Sequence, residues 1–377
     1  MRLRTWASVL AAVLVLWSLP ACTATAAPSP APAAHAPAAT PLRSMSALGM
    51  VTVRTGWALS SGQVLRTVDG GRQWTDMSPQ TLRGRAGNIS AAWLTAFRAW
   101  IAVSHGTANR HIAVWRTADG GARWTGSLVP VPAGSFPIQL QFTNPQDGWL
   151  MVEYQGTAGL PVVGGELLAT TDGGLHWAVR ASRLAGTLPW AGSIRFVGHI
   201  GWLTGQASGL AGNVIYETTD SGRRWIRHTL PVPGGSPTSI LVGPPWWTSP
   251  SDGLLTAFDQ STQQTIVYRT DSAGRTWQGV RVDANMGGSI APDGVAYVLG
   301  TSRLYWLTMR SDAVSSVPLP PAARKDVVGA RGAVPGVDFL AKGCGWIYAW
   351  AGDGVMHMYF TTDQGRSWSA WTPQIAK

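Results

Sequence analysis

The sequence predicts an all-β chain built by repetition. Three observations predict it: a composition rich in turn formers and poor in helix formers, a short Thr-x-Asp-x-Gly-x-x-Trp motif that returns at near-constant spacing, and a Gly-Trp mark ahead of most copies. The 377 residues include 45 Gly, 25 Pro and 21 Trp but only Glu153, Glu166 and Glu217 as glutamates, and 13% are charged. Coiled coils and helical bundles need Glu, Lys, Leu and Ala at helical spacing, so Gly and Pro at 70 of 377 exclude them. An apolar fraction of 45% excludes disorder, and glycines without a period of three exclude a collagen-like fibre.

The first segment reads as an address. Arg2 and Arg4 form a basic start, Thr5 to Leu19 an apolar stretch of 15 residues, and Leu19-Pro20-Ala21-Cys22 a small-residue end. That stretch is shorter than the roughly 20 residues that span a bilayer. The Leu-x-Ala-Cys ending resembles the lipobox of bacterial lipoproteins, with Pro20 an unusual occupant. The resemblance implies a lipoprotein-type signal peptide over 1–21 and lipidation of Cys22; cleavage near Ala24 to Ala27 is the alternative. Cys344 is then expected as a lone, buried thiol. Residues 22–44, mostly Ala, Pro, Thr and Ser, are expected to form a semi-extended tether, and residues 45–377 the folded body. The expected location is the outer face of the bacterial cytoplasmic membrane or the extracellular space. Removing the signal lowers the formal net charge from +10 to +8.

Repetition sets the architecture. The box Thr67-Val68-Asp69-Gly70-Gly71-Arg72-Gln73-Trp74 recurs complete at Thr117 to Trp124, Thr170 to Trp177, Thr218 to Trp225 and Thr361 to Trp368. A sixth copy, Thr270 to Trp277, has Ser272 where the Asp belongs. Steps of 50, 53, 48 and 52 residues are followed by one of 91, in which Arg310-Ser311-Asp312 aligns with Arg269-Thr270-Asp271 as a decayed seventh copy. Gly56-Trp57, Ala99-Trp100, Gly148-Trp149, Gly201-Trp202, Gly253-Leu254, Gly294-Val295 and Gly345-Trp346 supply seven matching marks. Each unit reads as four strands in about 45 to 50 residues, the blade of a β-propeller. A seven-bladed propeller of four-stranded antiparallel blades follows, with one blade degenerate.

Turn chemistry explains the box. Thr and Asp oxygens accept from exposed backbone N–H groups, Gly permits positive φ, and Trp lays a flat face over the hairpin. Asp69, Asp119, Asp172, Asp220 and Asp363, with Trp74, Trp124, Trp177, Trp225, Trp277 and Trp368, are therefore assigned structural roles. A position repeated in every blade is a structural device, whereas a catalytic acid appears once. The box resembles the Asp-box, or bacterial neuraminidase repeat, of sialidases, some xyloglucan hydrolases and the sortilin ectodomain. The fuller pattern, from about Met45 to Pro373, is most similar to the photosystem II stability/assembly factor-like propellers. That resemblance implies a non-enzymatic scaffold holding a membrane-protein precursor through a basic patch; fold alone does not imply function.

Side-chain supply weighs against an enzyme. A glycosidase needs two carboxyl groups flanking the bond. Glu153 and Glu217 adjoin Tyr154 and Tyr216, but neighbours on a strand point to opposite faces. Asp147, Asp252, Asp293 and Asp353 sit in Asp-Gly turn contexts. The seven His lack metal-ligand spacing, and the glycines belong to turns rather than a phosphate loop, so no metal or cofactor is expected. What remains is surface. Arg54, Arg98 and Arg195 precede or adjoin the Gly-Trp marks and could ring one mouth of the channel; the alternative is solvated arginines on separate turns. Arg72, Arg123, Arg223, Arg224, Arg275 and Arg366 add a diffuse positive field. Trp246 and Trp247, in a Pro-rich loop, are candidate aromatic contacts. Expected partners are an envelope or membrane protein, through an acidic segment, and an anionic glycan or wall polymer; export disfavours nucleic acid. The expected function is an exported, lipid-anchored binding or assembly scaffold, the alternative a cell-surface carbohydrate-active protein.

Overall fold

The computed structural model describes residues 39–82, 87–106, 109–155, 162–182, 190–206, 213–234, 240–329 and 335–376. The signal segment, Cys22 and most of the tether lie outside the described residues. Seven antiparallel sheets follow one another along the chain and form the blades. Blade 1 holds Ala47–Met50, Gly56–Ser60, Gln63–Thr67 and Gln73–Asp76. Blade 2 runs from Asn88–Trp93 to Thr125–Pro130, blade 3 from Ser135–Phe142 to Ala178–Ala181, and blade 4 from Trp190–Val197 to Ile226–Thr229. Blade 5 runs from Ile240–Val242 to Gln278–Val282, blade 6 from Gly288–Ala291 to Ser315–Pro318, and blade 7 from Gly336–Phe339 to Ser369–Trp371. The first strands of neighbouring blades lie against one another and so are innermost. One helix, α1 (Pro321–Gly329), links blades 6 and 7.

The box behaves as its chemistry demands. The Thr67 hydroxyl donates to Asp69 Oδ1 at 2.9 Å and accepts from the Gly71 N–H at 2.9 Å. Asp69 Oδ1 also accepts from the N–H groups of Arg72 and Gln73, each at 3.0 Å. The Thr-to-Asp bond recurs at 2.8 to 2.9 Å for Asp119, Asp172, Asp220 and Asp363. In blade 5 the shorter Ser272 hydroxyl accepts from the Thr276 N–H at 2.9 Å, keeping the turn with fewer bonds. The box is also tied to the turn between the first and second strands of its own blade, as in Gly70 N–H to Arg54 O at 2.8 Å and Gly120 N–H to Phe97 O at 2.9 Å. All these turns therefore share one face, the box face.

Blade 6 departs from the sequence alignment. The box Thr pairs with the Gly of the Gly-Trp mark, as Thr270 does with Gly253. In blade 6, Tyr297 stacks on Phe339 as the mark Trp does elsewhere, and Ala296 before it pairs with Leu307, so Leu307 stands in the Thr position while Gly294 lies in the turn at positive φ. Ser311, four residues later, is not its equivalent.

Aromatic stacking joins the blades. Trp57 stacks on Trp93, Trp100 on Phe142, Trp149 on Phe196, Trp202 on Trp247 and Tyr297 on Phe339, with centroids 5.6, 4.0, 4.3, 4.5 and 3.8 Å apart. The second member of each pair stands at the end of a first strand or, for Phe196, one residue before it. The glycine opposite it explains the Gly of Gly-Trp: a Cβ on Gly148 would sit 2.6 Å from the Phe142 ring, and one on Gly253 2.9 Å from Trp247. Indole N–H groups add cross-seam bonds, from Trp100 to Gly173 O at 2.9 Å and Trp346 to Gly70 O at 3.0 Å.

The ring closes through an added strand. Gln374–Ala376 runs parallel to Gln73–Thr75 on the outer edge of blade 1, and Thr40–Pro41 pairs with it in turn. Leu42 is fully buried; its N–H donates to Pro373 O and its carbonyl accepts from Met356, both at 2.8 Å. Trp371 of blade 7 donates to Gly71 O at 2.9 Å and lies under the Arg72 guanidinium at 4.5 Å. The tether boundary at residue 44 is thereby corrected: Thr40 to Leu42 belong to the body, because Leu42 fills an apolar gap between blades 7 and 1. Cys344 is fully buried and disulfide-bonded, so it is not a lone thiol.

Candidate functional site at the channel mouth

Side chains on the innermost strands knit blade to blade. Ser90 Oγ accepts from Leu140 N–H at 2.9 Å across the seam between blades 2 and 3. Gln141 grips both backbone groups of Phe196, accepting at 2.8 Å and donating at 3.0 Å. Ser289 Oγ accepts from Phe339 N–H at 3.1 Å, and Asp338 Oδ2 from Met50 N–H at 2.6 Å.

The seam between blades 4 and 5 is built differently. Pro244 and Pro245 break the inner strand of blade 5 into Ile240–Val242 and Trp246–Trp247, since proline supplies no N–H for the ladder. The Arg195 guanidinium, at the position Gln141 holds in blade 3, meets the Trp246 ring at 3.7 Å from its centroid. Desolvation lowers the Arg195 pKa to about 10, while the side chain keeps partial exposure. Among the described residues no carboxylate pairs with it. A desolvated cation without a counter-charge is costly unless a ligand supplies one, and the aromatic face offsets only part of that cost. The site can therefore hold a carboxylate or another anion.

The sequence candidates separate accordingly. Arg195 and Trp246 come together. Trp247, half-buried, is packed between Trp202, on which it stacks, and Trp277, which lies edge-on at 6.0 Å; its ring is engaged in the seam. It takes the place that Phe142 and Phe196 hold in blades 3 and 4. Arg54 and Arg98 are exposed in turns on the box face rather than on inner strands. Arg98 instead lines a cleft of about 430 Å³ with Arg116 and Arg123.

Three acidic side chains, Asp259 and Asp326 buried and Asp338 half-buried, carry no signal in the sequence. Asp259, 2% exposed, pairs with Arg281 at 2.9 Å. Asp326 on α1 accepts from Tyr359 Oη at 2.5 Å and bonds His357 Nδ1 at 2.7 Å, fastening the helix to blade 7. Burial pushes Asp338 up to about 6, against the pull of the Met50 N–H. Local sequence holds no signal for these pairings, which join residues from 22 to 288 positions apart.

Asp338 makes stability pH-dependent. Its folded-state pKa lies above its unfolded value, so its contribution is full below about pH 4 and is lost as pH rises through about 6. The shift corresponds to roughly 2–3 kcal/mol. Asp338→Asn retains an acceptor for Met50 and removes the buried charge. Thermal melts are expected to favour the variant over the parent progressively from about pH 4 to about pH 6, with the difference level above that. A constant difference across that range contradicts the assignment.

The fold is a seven-bladed β-propeller with a cationic, aromatic contact on its inner strands. Residues 120–296 match the family model described as photosynthesis system II assembly factor YCF48. The solved structure of YCF48 bound to D1 peptide is similar over 85% of this chain and 93% of that one, at 12% identity and a TM-score of 0.56. The extracellular domain of the putative one component system BT4673 from B. thetaiotaomicron is similar over 85% of this chain and 38% of that one, at 9% identity and a TM-score of 0.54. A GH74 xyloglucanase from Xanthomonas campestris aligns over 90% and 69% at 14% identity and a TM-score of 0.45. None of the curated proteins matches this chain. At these identities the structural likeness is one of fold. The chain is an Asp-box seven-bladed β-propeller similar to the photosystem II assembly-factor family.

Proposed function

We propose that this chain is an exported, non-enzymatic scaffold that docks an acidic segment of an envelope or membrane protein at the channel mouth. The observation that carries the reading is the desolvated Arg195 guanidinium, seated on Trp246 and paired with no carboxylate among the described residues. A peptide carboxylate entering there supplies the missing charge, and Trp246 supplies an apolar wall. The likeness to a family described as an assembly factor supports the same class of activity.

Two readings of Cys22 exclude each other. The chain has two cysteines, so a bridge within one molecule to Cys344 uses the sulfur that a thioether-linked lipid needs. Either one fits export, since disulfides and lipidated cysteines are made on exported chains. The intact mass of the mature chain distinguishes them.

In-cell crosslinking of the tagged chain, followed by purification and mass spectrometry, is expected to recover one recurrent envelope protein. Arg195→Glu should cut that recovery roughly tenfold or more while the fold is retained, because it faces a ligand carboxylate with a like charge. Undiminished recovery sinks the Arg195 assignment. Wall or capsule glycan without a stoichiometric protein sinks the scaffold reading and favours the carbohydrate-active alternative.

A further inference from the structure

Two clefts on the box face occupy corresponding seams, and they differ in charge. The cleft between blades 5 and 6, about 340 Å³, is lined by Arg269 and Arg310 but also by Asp252 and Asp271. Arg269 there is neutralised within the protein: its Nη2 lies 2.8 Å from Asp312 and 2.9 Å from Gln278 Oε1. The cleft between blades 2 and 3, about 430 Å³, is lined by Arg98, Arg116 and Arg123, with Asp119 the one carboxylate.

That carboxylate is already committed. Asp119 Oδ1 accepts from the Arg123 N–H and the Thr117 hydroxyl, each at 2.9 Å, and the backbone N–H of Arg123 leads the causes that hold its pKa below the ordinary range. Arg116 is the residue before the box Thr, as Arg269 is in blade 5. Its Nη1 donates to the carbonyls of Asp172 and Gly173 at 3.2 and 3.4 Å, which fixes the guanidinium across the seam and leaves its other donors unassigned. No ion pair among the described residues involves Arg98, Arg116 or Arg123. Trp100, 3% exposed and stacked on Phe142, and Pro145 form an apolar part of the wall.

We infer that the cleft between blades 2 and 3 binds a phosphate monoester carried on a larger, polar ligand. Three guanidinium groups against one ionised carboxylate leave a formal charge of about +2, which matches a phosphate dianion rather than a single carboxylate. Guanidinium groups present paired donors suited to phosphate oxygens. The cavity far exceeds the volume of phosphate alone, so the space beside exposed Thr125 and Pro145 accommodates the esterified group. This site stands apart from Arg195 and does not depend on the docking of a protein segment there.

The test is titration calorimetry of the full chain at low salt with glycerol phosphate, inorganic phosphate and galacturonate as probes. Glycerol phosphate is expected to bind saturably and more tightly than either of the others. The double variant Arg98→Gln/Arg123→Gln should weaken it at least tenfold with an unchanged melting temperature, and Arg269→Gln in the neutralised cleft should leave it unchanged. Absence of saturable binding, or binding that the double variant leaves intact, overturns the site. Galacturonate binding as tightly as the ester overturns the phosphate assignment, and tighter inorganic phosphate overturns the ester.

Discussion

Trp247→Ala is expected to lower the melting temperature by roughly 5–10 °C, whereas Trp246→Ala next to it should leave stability nearly unchanged and weaken ligand capture. Trp247 stacks on Trp202 at 4.5 Å and meets Trp277 edge-on at 6.0 Å, so its removal opens a cavity in the seam between blades 4 and 5. Aromatic-to-alanine changes in such places cost about 3–5 kcal/mol, and each kcal/mol moves the midpoint of a large domain by about 2 °C. Its indole N–H has no hydrogen-bond partner among the described residues, so packing accounts for the loss. Trp246 lies against Arg195, and its loss removes a ligand wall rather than a seam contact. Differential scanning calorimetry of the two variants, read beside crosslinking yield, checks the pair. Equal destabilisation by both changes contradicts the separation of roles.

Ending the chain after Thr372 should have a larger effect still. The deletion removes the strand Gln374–Ala376, with its bond from Gln374 N–H to Arg72 O at 2.9 Å, and strips the cover from fully buried Leu42. Backbone bonds contribute about 1 kcal/mol each and a buried Leu or Ile about 1.5–3 kcal/mol. Their joint loss is on the order of 5 kcal/mol, concentrated where the ring closes. Limited proteolysis should then cut first in blade 1 or blade 7. A truncated chain that melts with the parent and resists protease to the same degree rules out this closure.

What the sequence made legible follows from range. The boxes and Gly-Trp marks are local chemistry: a Thr hydroxyl, an Asp carboxylate and a Gly at positive φ all act within eight residues, so Asp69 or Asp363 can be assigned without coordinates. Seven such units fix a propeller. Pairings across the ring carry no such signature. Asp338 and Met50 are 288 residues apart, and Trp371 and Gly71 are 300 apart, so neither the pH-sensitive seam nor the mode of closure could be read ahead. Trp246 and Trp247 show the limit within one dipeptide. Adjacent strand positions alternate between faces, so one ring meets an arginine and the other fills a seam, and only the register tells which.

The closing strand also brings the two ends of the ring together on blade 1. Thr40 is the register partner of Ile375, so these two residues lie one strand spacing apart, about 4.8 Å. A short peptide could join them, and the chain could be opened afresh in a turn between any two blades with every seam bond intact. The order in which the blades are translated is thus incidental to the finished disc, and the repeats are free to be renumbered by circular permutation without altering what the box face presents.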